Sequence, residues 1–147
     1  MENFKIENYR RDNPNTEFPD YRTLPEGEAK DIAGRLSSKL RLRPEASDLE
    51  LVSRLRDLSD AIPNVDAAAE DFDLLRSLEK SGIVPESKVQ INWHRFEVID
   101  EMRTADLSKH FSDIWYPAAD CIDLFDNTLR WVASVDYSGS LLVLKLD

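Results

Sequence analysis

Cys121, His94 and His110 are the side chains with which this chain could do nucleophilic chemistry, a thiolate activated by an imidazole and supported by a carboxylate. The two histidines fall on different predicted elements, and Cys121 opens an alternating strand within an acidic segment. A reactive cysteine needs an electropositive setting that lowers its pKa. Cys121 therefore reads as a small packing residue, and the chain as a protein that is not an enzyme. The aspartates Asp113, Asp120, Asp123 and Asp126 offer oxygen ligands for a hard cation such as calcium. However, the D-x-D-x-D-G loop is absent, and a strand sends three-spaced side chains to opposite faces. No metal or other cofactor is expected. No Gly-rich phosphate loop, nucleophile elbow or HExxH pair occurs.

The aspartates have a second use beside aromatic residues. Trp115 and Tyr116 precede Pro117 and lie between Asp113 and Asp120. Aromatics ringed by carboxylates suit a protein-binding surface that accepts lysine or arginine. The alternative is that Trp115 folds back over the sheet edge. Net charge is −10, yet the first 43 residues carry eight acidic and nine basic side chains, so the acidity belongs to the rest. Asp113, Trp115, Tyr116, Asp120, Asp123 and Asp126 are the expected contact residues, within an acidic surface over 97–126. Their natural counterpart is a basic protein. Reversing Asp120 and Asp123 to lysine should then slow association. Nucleic acid is excluded as a partner, since phosphate affinity rests on clustered Lys and Arg. The bland reading of the same carboxylates is a solubilising surface.

The elements that must position these residues are organised around the stretch from Cys121 to Leu146. Trp131, Ala133 and Val135 alternate with Val132 and Ser134, and Leu129 continues the first set. Asp126-Asn127-Thr128 and the turn ending at Gly139 flank this strand with residues that tolerate positive φ, which predicts a meander of three neighbouring strands. A fourth strand is expected from Val89, Ile91 and Trp93. Upstream, apolar spacing predicts helices over about 26–41, from Ser47 to Ile62 with the capping-box spacing Ser47-x-x-Glu50, and over about 66–80. A short helix over about 104–112 interrupts the sheet part. Residues 1–27, with Pro14, Pro19 and Pro25, read as an irregular arm that nevertheless packs on the body through its aromatics.

The expected fold is thus α+β: one domain over 1–147, with the arm (1–27) and three helices (28–82) packed on a four-stranded antiparallel sheet (88–147) that ends in the meander. No apolar run approaches the ~20 residues of a membrane span. The stretch MENFKIENYRRDNPN has no apolar signal core, and the single cysteine suits a reducing compartment, so a cytoplasmic location is expected.

Over residues 89–140 the order Phe111, Asp113, Trp115-Tyr116-Pro117, Asp120, Phe125-Asp126, Leu129, Trp131 and Gly139 resembles the C-terminal part of small bacterial immunity proteins of polymorphic or contact-dependent toxin systems. Tyr137-Ser138 stands where that pattern has a histidine before the turn glycine. The resemblance implies inhibition of a cognate toxin by binding alone. Two other classes remain open on the residues: an adaptor or regulatory protein, phage- or plasmid-borne, for a different basic partner, and a small enzyme or metal-binding protein built on Cys121, His94 and His110.

Overall fold

The computed structural model describes residues 1–94 and 96–146, the side chain of His94 excepted. Among the described residues one antiparallel sheet of seven strands, in the order β1-β4-β3-β5-β6-β7-β2, runs through the molecule. The meander is present as β5 (Ile122–Phe125), β6 (Trp131–Val135) and β7 (Leu141–Lys145), which pair consecutively. On the other side of β5 lies β3 (Lys88–His94), which pairs in turn with β4 (Val98–Arg103).

The sheet therefore has seven strands rather than four. The two edges are built from segments that the sequence assigns to the arm and to the helical part. β1 (Tyr21–Thr23) pairs with β4, and β2 (Asp60–Ala61) pairs with β7. Both are too short for a period-2 pattern to register. Pro19 and Pro25 flank β1, a device that blunts an edge against further pairing.

Among the described residues six helices accompany the sheet, where three and a short fourth are expected, and they cover both of its faces. α2 (Glu26–Lys39) and α3 (Asp48–Leu58) bury Ile32, Leu36, Leu51 and Leu55 against Ile99, Phe125 and Val132. Ser47 caps α3 as its position predicts, its Oγ accepting the Glu50 N–H at 3.1 Å. On the opposite face lie α1 (Asn3–Asp12), α4 (Leu74–Lys80), α5 (Thr104–Lys109) and α6 (Phe111–Ile114), packed on Val89, Ile91, Leu124, Trp131 and Ala133. Leu129 joins the α2/α3 face instead of the Trp131 face, because its φ of 49° places it in the turn before β6.

Two further corrections concern helix limits. The helix expected over 66–80 is confined to α4, because Asn64 has a φ of 62° and the Asp66 carboxylate takes the Ala68 N–H at 2.9 Å, closing a turn instead of a helix. The helix expected over 104–112 is two, broken at His110. The irregular loop 62–73 is held by the meander itself: Ala67 N–H donates to the Gly139 carbonyl at 2.8 Å. Gly139 has a φ of +92°, and a Cβ there would stand 2.6 Å from Asp66 Oδ1, so both conformation and space require glycine.

Candidate functional site

The residues singled out from the sequence do not share a surface. Trp115 is 1% exposed and donates its indole N–H to the Asp120 carbonyl at 3.1 Å. Asp126 is buried and organises the β5–β6 turn, accepting from Trp131 Nε1, the Glu86 N–H and both the N–H and hydroxyl of Thr128. Asp123, also buried, faces α3. Asp113 is half-buried, 3.8 Å from His110 Nδ1. Of the two aromatics, Tyr116 is half-buried and Trp115 is not accessible. Half of the acidic side chains expected on a surface over 97–126 are internal: Asp100, Asp120, Asp123 and Asp126 each accept hydrogen bonds within the fold, whereas Glu97 is exposed and Glu101, Asp106 and Asp113 are half-buried.

Two polar clusters converge on one end of the sheet, where β3 and β6 end and β4 and β5 begin. The first comes from α1. Lys5 is fully buried, with its ammonium 2.5 Å from Asp120 Oδ2 and 2.8 Å from the Ile114 carbonyl. Around it stand the rings of Trp93, 4.1 Å from Nζ to centroid, and Tyr116, at 5.0 Å. A buried cation needs a carboxylate and further acceptors to offset lost hydration, and the aromatic faces add to that set. Asp120 Oδ2 also accepts the Tyr116 N–H at 2.8 Å. Beside this cage the Met1 amino group, Trp93 Nε1 and Thr23 Oγ1 all meet the buried Asp100 carboxylate.

The second cluster reaches the same sheet end from α3. Arg56 Nη2 donates to Asp123 Oδ1 at 2.8 Å and Nη1 to Cys121 Sγ at 2.8 Å. Ser134 Oγ and Asn92 Nδ2 complete the Asp123 shell at 2.6 and 3.0 Å. Asn92 does further work at the hairpin: its Oδ1 accepts the N–H of Phe96, which has a φ of 60° beside the register shift in β3. Burial alone would lower the Arg56 pKa, but the Asp123 carboxylate and then Cys121 outweigh it and raise it.

Between the clusters lies a cavity of about 400 Å³ lined by Met1, Glu2, Trp93, Val98, Ala119, Asp120, Cys121 and Tyr137. Its apolar wall is open to solvent. Val98 is 44% and Tyr137 51% exposed, and at the Lys5 cage the exposed Phe4 packs edge-on against Tyr116. No sequence pattern marks Val98, and Tyr137 stands out only as a turn aromatic before Gly139; their proximity is a product of topology.

The thiol at this cavity is not poised for attack. Burial pushes the Cys121 pKa up; Arg56 opposes the shift, while the Asp123 and Asp136 carboxylates reinforce it. Less thiolate is then present at neutral pH than for an ordinary cysteine. Iodoacetamide should accordingly alkylate Cys121 more slowly than it does glutathione at pH 7, with the rate rising only above the usual thiol range. Rapid alkylation at pH 7 would contradict this environment. His110 packs on Tyr9 and is not brought to Cys121, and the imidazole of His94 lies outside the described residues. Among the described residues no group of three or more His, Cys, Asp or Glu is placed to hold a metal ion, and no helix is long and apolar enough to cross a membrane.

Compared with known proteins, the chain matches no family model, no curated protein and no solved structure.

Proposed function

We propose that the protein is a non-catalytic, protein-binding inhibitor that neutralises a basic partner, with a toxin domain as the leading case. The observation that carries this reading is the apolar wall at the sheet end, where the exposed Val98 and Tyr137 line one cavity with the half-buried Trp93, while the exposed Phe4 packs on Tyr116 at the neighbouring Lys5 cage. Exposed apolar groups gathered in one place favour association with another surface. A net charge of −10 selects a basic one. The resemblance of residues 89–140 to bacterial immunity proteins supplies the toxin as that partner. Tyr116 keeps the role read from the sequence, Asp120 both pairs Lys5 and borders the cavity, and Trp115, Asp123 and Asp126 serve the fold that presents the patch.

The test is affinity capture of the tagged protein from the cells that make it, at low and at high salt, followed by co-expression with whatever is retained. The expected result is a basic protein that is lost as salt rises and whose toxicity to growth is relieved by this chain. Capture of nothing in either buffer, or a captured protein whose effect on growth is unchanged, would overturn the reading.

A further inference from the structure

We infer that the cavity between Trp93 and Tyr137 receives a lysine or arginine side chain from the partner, with the aromatic and apolar wall taking the aliphatic stem and the carboxylates at its margin taking the charge. This deepens the binding role proposed above and rests on it for the identity of the partner as a protein. Three observations carry it. The first is that this part of the molecule already holds such a group: Lys5 lies 4.1 Å from the Trp93 centroid and 2.5 Å from Asp120. The chemistry that binds a cation, an electron-rich ring face beside a carboxylate, is in place.

The second is that acceptor capacity remains. Asp120 lines the cavity, and while its Oδ2 is used by Lys5 and Tyr116, its Oδ1 accepts no hydrogen bond among the described residues. Glu2, also on the wall, has a side chain 59% exposed. The third is the local charge. Among the described residues Glu2, Asp100, Asp120, Asp123 and Asp136 face Lys5, Arg56 and the Met1 amino group, five negative charges against three positive. The wall suits the amphipathic form of the proposed occupant. Val98, Trp93 and Tyr137 cover a methylene stem while the charged head reaches the acidic margin. A second copy of this chain, itself strongly acidic, is disfavoured as the occupant by like-charge repulsion.

The experiment is an NMR titration of the isotope-labelled full chain with an end-blocked tetralysine peptide, and with the same peptide acetylated on every Nε. The expected result is saturable shifts at the Trp93 indole and at the amides of Val98, Ala119, Cys121 and Tyr137 with tetralysine, and none with the acetylated form. Tyr137→Ala should weaken the binding about tenfold. The exposed ring can be removed without touching a core contact, because the bond that Tyr137 makes to Ala118 uses its carbonyl. Non-saturating shifts, shifts centred on the exposed acidic loop 60–73, or equal affinity of Tyr137→Ala would overturn the assignment. The capture experiment separates this from the broader reading: a basic partner held equally by the native chain and by Tyr137→Ala removes the cavity and leaves the inhibitor, whereas a positive titration with no captured partner does the reverse.

Discussion

Replacing Lys5 by alanine is expected to lower the unfolding free energy by about 3–5 kcal/mol, because one member of a buried ion pair is removed and the other stays. Lys5 is 0% and Asp120 8% exposed, so the orphaned carboxylate keeps only its narrow opening onto the cavity. The Ile114 carbonyl loses its donor as well, and the space between Trp93 and Tyr116 empties. For a domain of this size each kcal/mol moves Tm by roughly 2–4 °C, so thermal unfolding followed by circular dichroism reads the effect directly. Lys5→Met isolates the charge, since it keeps the stem. Combined with Asp120→Asn it should recover much of the loss, as no unpaired charge remains buried. A Lys5→Ala protein within 1 kcal/mol of the native chain would show that the pair does not anchor α1.

This pair also explains why residues 1–27 look irregular in sequence. α1 buries Lys5 and Tyr9, four residues apart on one face, a helical spacing whose first member is charged. A reading that scores apolar residues sees only the second. Asp100 hides β4 in the same way: Ile99 and Asp100 are adjacent and both fully buried, which removes the alternation that marks a half-exposed strand. By contrast the meander, β3, α2 and α3 were legible, because their buried positions are filled by Leu, Ile, Val and Trp at regular spacing and their ends by capping and turn residues. The aspartates were misplaced for one reason. Sequence spacing shows that a carboxylate is present, but whether it faces water or an internal donor is decided by partners such as Lys5, Arg56 and Trp131, which lie far away in sequence or across a turn.

Asp123→Asn is expected to lower the unfolding free energy by about 2 kcal/mol, although it changes a single atom. The carboxylate accepts from Ser134 and Arg56 through Oδ1 and from Asn92 through Oδ2, so all its neighbours donate. An amide must turn its NH₂ toward one side. Toward Oδ1 it opposes Arg56; toward Oδ2 it opposes the Asn92 amide. Asn92 cannot flip to relieve the second clash, because its own oxygen already accepts the Phe96 N–H at 2.9 Å and fixes the positive-φ hairpin. With the NH₂ on the Oδ1 side the Ser134 hydroxyl can turn to accept from it and the amide oxygen still serves Asn92, so the loss falls on Arg56, which gives up its carboxylate and must swing toward water. Ser134→Ala, which removes one donor and leaves two, should cost only about 1 kcal/mol. Urea denaturation of the two variants measures the contrast, and equal losses would refute this account of the Asp123 shell. The same reasoning bears on binding: a lysine at position 123 would face Arg56 in the interior, so weakened association in that variant would report unfolding, and the binding surface is better probed at Tyr137 and Glu2.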